Sequence, residues 1–192
     1  MHFALFITGR GCMQTFRALV AAAVCVGFAG LAQAGQSSFG EAHDGAVISY
    51  DDTQWEATDL VGYPYFTCKA PDCGAASCLV LASVKPDFPA WPEKIDAASL
   101  AALQDFFVAE QKSGGHSDTE VAVPMQAVKI GSHDTLYEAT RVTLSDGSMS
   151  SRYMIREAGD TRLVTCEGDA DSLSKLKPQI DALVGGITFY QQ

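Results

Sequence analysis

The chain has 192 residues, 47% hydrophobic and 19% charged. That length fits one domain, and the balance is globular, which excludes a disordered or collagen-like chain. Lys and Arg number 13 against 23 Asp and Glu, for a formal net charge of -10. A chain this acidic lacks the basic face needed to bind a phosphate backbone, so no nucleic-acid partner is expected.

Residues 1–34 read as a secretory signal peptide. Arg10 and Arg17 are the only charged side chains there, an apolar run covers Ala18 to Leu31, and Ala32-Gln33-Ala34 precedes Gly35. This is a positive n-region, an apolar h-region and a small-x-small cleavage site. The apolar run is too short to span a bilayer, and Met13 offers an alternative start. Cys25 follows Val24 inside the apolar run. A lipidated cysteine would follow a small residue at the end of such a run, so no lipid anchor is expected. The remaining chain is expected in the periplasm or outside the cell, with no membrane segment after leader cleavage. Segment 35–44 is polar and glycine-containing and is expected to be a flexible arm. Residues 45–192 form the expected single domain.

Strands are expected at Gly45 to Tyr50, at Thr53 to Glu56 after the turn Asp51-Asp52, and at Val61 to Thr67, where Pro64 marks an edge or a strand start. A loop with three cysteines follows, Cys68-Lys69-Ala70-Pro71-Asp72-Cys73-Gly74-Ala75-Ala76-Ser77-Cys78, and then a strand from Cys78 to Val84. With Cys166, four cysteines remain after the leader, and an exported chain with an even count favours disulfides. If the strands beginning at Cys78 and ending at Cys166 pair antiparallel, those two cysteines fall side by side. The first pairing is therefore Cys68–Cys73 with Cys78–Cys166, and the second is Cys68–Cys78 with Cys73–Cys166. Zinc ligation by Cys-x4-Cys-x4-Cys is the weaker alternative, since export disfavours free thiolates. No C-x-x-C redox motif is present.

Residues 85–92 contain three prolines and two aromatics, Phe88 and Trp91, and read as a loop. Asp96 is the expected N-cap of a helix carrying Leu100, Leu103 and Phe107 on one face, ending near Lys112 before Gly114-Gly115. A meander follows: Glu120 to Val123, Gln126 to Ile130, Thr135 to Leu144, an Asp146-Gly147 turn, Ser148 to Glu157, a turn at 158–160, and Thr161 to Cys166. A second helix, capped by Asp169 or Asp171, carries Leu173, Leu176, Ile180 and Leu183 on a helical stripe that Ile187 continues in spacing, with Pro178 expected to kink it or shorten its first segment and Gly185-Gly186 to end it. Ile187-Thr188-Phe189 closes the chain as a short strand. The expected class is α+β, an antiparallel twisted sheet with two main helices packed on one face.

Two resemblances follow from these residues. Ile48-Ser49-Tyr50-Asp51-Asp52-Thr53-Gln54-Trp55, together with Asp160-Thr161-Arg162-Leu163-Val164-Thr165-Cys166, the helix Leu173 to Val184 and Gly186-Ile187-Thr188-Phe189, resembles the PsbP-like fold of photosystem extrinsic proteins and their exported bacterial relatives. That resemblance covers nearly all of 45–189 and implies an adaptor or binding role. Cys68-Lys69-Ala70-Pro71-Asp72-Cys73-Gly74 is similar to the disulfide-closed loop of the inhibitor of vertebrate lysozyme, without that family's loop histidine.

No G-x-S-x-G, H-E-x-x-H, P-loop or G-x-G-x-x-G motif is present. His43, His116 and His133 lie apart in polar segments and are expected at the surface. The sequence therefore points to an exported, non-enzymatic binding or adaptor module without a cofactor or metal, engaging a protein partner or small ligand. Lys69, Pro71, Asp72 and Trp91 are the candidate binding residues. The alternative is a secreted inhibitor of a hydrolase such as lysozyme, acting through the loop 68–78.

Overall fold

The structure, a computed structural model, describes residues 35–40, 46–81, 88–142, 147–157 and 160–190. The leader, residues 41–44 of the arm, positions 82–87, Asp146 of the expected hairpin turn and residues 158–159 lie outside them.

Ten strands and two helices are described. A three-stranded sheet has the order β1 (Gln36–Phe39), β2 (Ala46–Asp51), β10 (Ile187–Phe189). A seven-stranded sheet has the order β3 (Trp55–Leu60), β4 (Tyr63–Cys68), β5 (Ser77–Leu81), β9 (Asp160–Asp169), β8 (Ser148–Glu157), β7 (His133–Val142), β6 (Thr119–Ile130). Every pairing is antiparallel. Within the segment expected as an arm, Gln36–Phe39 forms β1 and pairs with β2. Phe39 meets the Phe66 ring edge-on at 6.1 Å, and the Ser37 hydroxyl donates to Asp52 at 2.5 Å. An apolar anchor and a polar tie thus fix a segment whose composition reads as loose.

Helix α1 (Ala97–Ser113) starts at a capping box: the Ser99 amide donates to the Asp96 carboxylate, and the Asp96 amide donates to the Ser99 hydroxyl. It stops at Gly114. Helix α2 (Ala170–Gly185) is capped by Asp169, which accepts from the Ser172 amide at 2.8 Å. It runs unbroken through Pro178, which sits on the exposed side, so the carbonyl freed by the missing amide faces water.

The expectation that both helices share one face is corrected. Along β7, β8 and β9 the buried side chains alternate between two clusters. Tyr137, Tyr153, Ile155 and Val164 join Leu173, Leu176, Ile180 and Leu183 of α2. Their neighbours Leu136, Met154 and Leu163 join Leu103 and Phe107 of α1. Successive strand residues point to opposite faces, so the helices cover opposite faces. Both parities of these strands are buried, which explains their weak alternation in sequence. The expectation that His133 is exposed is also corrected: it is buried, with Nε2 2.9 Å from the Ile187 carbonyl oxygen.

The segments Glu120–Val123 and Gln126–Ile130, separate in the sequence reading, belong to one strand. Pro124 and two register shifts lie inside β6. An edge strand tolerates both, because one side of its backbone has no partner to lose.

Candidate functional site

The loop between β4 and β5 is built by its cysteines. Cys68 and Cys73 are bonded, closing a ring five residues apart in sequence, and Cys78 is bonded to Cys166. Cys78 and Cys166 are direct cross-strand partners of β5 and β9, with Cα atoms 4.0 Å apart. The pairing is the one that antiparallel register implies. All four sulfurs are oxidised, so none is available as a thiolate ligand.

Backbone bonds lock the ring from both sides. The Cys68 amide donates to the Ala76 carbonyl and the Lys69 amide to the Gln54 carbonyl, both at 2.9 Å. The Cys73 amide donates to the Ala70 carbonyl and the Ala76 amide to the Cys73 carbonyl. Gly74 has φ of 56°, and a Cβ built there would lie 2.5 Å from Asp169 Oδ2 and 3.1 Å from Ser172 Oγ. Only glycine allows this turn to seat on the N-terminus of α2. A Cβ on Gly168 would meet the Ala76 backbone at 3.1 Å, so the ring also rests on the β9–α2 junction.

What remains outward is small. Pro71, Asp72 and Ala75 are exposed, while Cys73 and Ala76 are buried. The Lys69 side chain is exposed, but its ammonium donates to the Asp52 carbonyl at 2.8 Å. It ties the loop to the β2–β3 turn. Trp91 lies elsewhere. It is half-buried against the cluster of Leu103 and Phe107, and its amide donates to the Thr161 hydroxyl at 3.1 Å. Lys69, Pro71 and Asp72 thus share one surface, and Trp91 belongs to the α1 face.

Beside the ring an open cleft of about 390 Å³ is lined by Arg141, Gly147, Asp169, Ala170 and Asp171. Asp169 joins ring and cleft. Its carboxyl is held below the usual range by the Ser172 hydroxyl and amide. Arg141 is paired with Glu120 at 2.6 Å. Asp169 was legible as a helix cap. Arg141 has no local signal, because it arrives from β7. Among the described residues no group of three or more His, Cys, Asp or Glu side chains converges as a metal site, and no helix is long and apolar enough to cross a membrane.

One charged pair lies apart from the ring, on the α1 face. Arg152 Nη1 donates to Glu138 Oε1 at 2.9 Å, with both residues buried, and the guanidinium sits 5.0 Å from the Phe107 ring centre. Glu138 Oε2 has no partner. Burial pushes the Glu138 carboxyl up to about 7, with Arg152 opposing the shift and Glu110 adding to it.

No family model and no curated protein matches the chain. Among solved structures it is similar to cyanobacterial PsbP (CyanoP) from Synechocystis sp. PCC 6803, with a TM-score of 0.56 and 13% identity over 84% of this chain and 96% of that one. A crystal structure from Bacteroides thetaiotaomicron VPI-5482 aligns at a TM-score of 0.39 and 13% identity, covering 83% of this chain and 50% of that one. At 13% identity the first likeness is one of architecture, and it bears out the resemblance carried by the strand–Trp segment and the closing helix: the chain has a PsbP-like α+β fold with two disulfides.

Proposed function

We propose that this protein is an exported, non-enzymatic binding module that engages a protein or small ligand through the ring 68–78. The observation that carries the reading is the ring itself: a disulfide-closed loop, bonded on both sides and seated on a helix N-terminus, that presents Pro71 and Asp72 on a fixed backbone. A pre-ordered loop loses little conformational entropy on binding. The nearby polar groups act in the fold, since Asp169 caps α2 and Lys69 holds a carbonyl. Two disulfides fit an oxidising compartment. The net charge of -10 favours a cationic partner.

The test is retention of a partner from periplasmic extract on the immobilised oxidised protein, repeated with P71G/D72K. Retention that the substitutions abolish supports the reading. Equal retention by both forms, or none above background, ends it. A second reading is favoured by the exposure of Pro71-Asp72 on an acidic chain: inhibition of a basic hydrolase such as lysozyme. Unchanged lysozyme turnover in a large excess of the protein removes that reading.

A further inference from the structure

The seven-stranded sheet has two edges, and they are built differently. The β6 edge is blunted. It carries Pro124, two register shifts and Lys129, and the Met125 amide is taken by the Gln104 side chain of α1 at 3.0 Å. These are the usual protections against unwanted strand pairing. The β3 edge has none of them. Trp55-Glu56-Ala57-Thr58-Asp59-Leu60 contains no proline and no Lys or Arg, and its register with β4 is regular over six pairs.

Hairpin geometry shows which backbone groups this edge offers. Leu60 and Tyr63 flank the two-residue turn Val61-Gly62, whose φ values, 54° and 85°, are both positive. In such a turn the flanking pair exchanges both hydrogen bonds. Leu60, Thr58 and Glu56 therefore bond inward to β4, while Trp55, Ala57 and Asp59 turn their N–H and C=O groups outward. Pro64 opposite Asp59 agrees with this phase, because its missing amide falls on the side away from β3. Among the described residues no strand pairs with that outer side.

We propose that the β3 edge, which runs from Trp55 beside Cys68 to the β3–β4 turn, is a second docking site. It accepts an extended, lysine- or arginine-bearing segment of another protein as an eighth strand. Charge selects the occupant. Glu56 and Asp59 are the only charged side chains on β3, and both are exposed. A second copy of this edge would place two carboxylates on each face with no cation between them, which disfavours self-pairing. Glu56 and Asp59 differ in parity and face opposite sides of the sheet, so a strand with Lys or Arg on both faces gains ladder hydrogen bonds and one favourable charge contact on each face.

The test titrates the isotopically labelled full chain with an acetylated, amidated nonapeptide of Lys-Lys-Val-Val repeats, which carries Lys on both faces of a strand, and in parallel with its Glu-for-Lys counterpart. The Lys peptide is expected to slow hydrogen exchange at Ala57 and Asp59 by about tenfold or more, and added salt is expected to reverse the effect. A57P removes an outward N–H only, and binding is expected to weaken by about tenfold. Should A57P fold poorly, E56K is the second variant, and its preference is expected to shift toward the Glu peptide. Equal response to both peptides, or to neither, overturns the proposal. So does protection at Ala57 and Asp59 that rises with protein concentration alone, since a second copy would then be the occupant. These readouts do not involve Pro71 or Asp72, so their failure leaves the ring reading standing.

Discussion

On its α2 side the seven-stranded sheet buries Phe66, Val80, Tyr153, Ile155 and Val164 under a helix that contributes Leu173, Leu176, Ile180, Leu183 and Val184. On its α1 side it buries Leu136, Met154 and Leu163 beside a carboxylate–guanidinium pair, under a helix whose only buried residues are Leu103 and Phe107. The first face is held by apolar area, with the Cys78–Cys166 cross-link among its buried residues. The second holds a smaller apolar cluster that shares its space with charge. Fewer buried apolar contacts mean a lower cost of local opening, so α1 is the less firmly held helix.

The largest expected effect comes from cutting the cross-link on the α2 side. Cys78 and Cys166 lie 88 residues apart in sequence, against 5 for Cys68 and Cys73. Restriction of the unfolded chain grows with loop length, so C78A/C166A is expected to cost about 4–5 kcal/mol and C68A/C73A about 2 kcal/mol. Denaturant unfolding without reductant measures both. Equal losses would show that loop length does not govern these bridges.

Phe107→Ala attacks the other face. It removes a fully buried ring and the aromatic surface against Arg152. A loss of about 3–5 kcal/mol is expected. Hydrogen exchange should accelerate across α1 and leave α2 protected. Uniform acceleration in both helices would show that the two faces unfold as one unit.

The charged pair gives the α1 face a pH dependence. The Glu138 carboxyl is pushed from its ordinary 4.5 up to about 7. Below pH 4.5 it is protonated in folded and unfolded chains alike. Between there and pH 7 the unfolded chain ionises first, so the folded state loses stability as pH rises. The loss attributable to this group is on the order of 3 kcal/mol. Asp51, Asp96 and Asp169 act in the opposite sense. Each is held below its ordinary range by hydrogen bonds, so their contribution is lost only on acidification below about pH 4. Thermal midpoints from pH 4.5 to 8 should fall for the wild type and flatten for Glu138→Gln. Parallel slopes would remove Glu138 as the cause.

How much of this was legible in the sequence follows from the range of the forces involved. Asp96 with Leu103 and Phe107 encodes α1 within one segment, and Asp169 with Leu173 to Leu183 encodes α2 in the same way. Caps and periodicity are local, so both helices could be read. The disulfide partners followed from antiparallel register, which links Cys78 to Cys166 once two strand ends are placed. The helix faces did not follow. On β7, β8 and β9 both parities are buried, and nothing in a doubly buried strand says which parity meets which helix. Within the ring, the exposure of Pro71 and Asp72 could be expected from their place in a loop, but the tie from the Lys69 ammonium to a backbone carbonyl could not. Its carbonyl partner, Asp52, lies 17 residues away. Arg141 in the neighbouring cleft was invisible for the same reason.

The smallest expected effect lies at the β3–β4 turn, outside the area either helix covers, and so separates backbone strain from the balance between faces. Val61 holds φ of 54° and is 89% exposed. A β-branched residue in the left-handed region is disfavoured by about 1 kcal/mol. The Asp59 carboxylate, accepting from the Gly62 amide at 2.8 Å, helps hold the turn against that cost. Asparagine is the residue such a turn favours at this position, so Val61→Asn is expected to stabilise the fold by about 0.5–1 kcal/mol. The gain should be equal at pH 5 and pH 8 and equal with and without the Cys78–Cys166 bridge, because the turn touches neither. A gain that vanished when the bridge was removed would mean that the hairpin and the α2 face are one cooperative unit. A loss of stability would mean that the Val61 side chain contributes packing that outweighs its backbone strain.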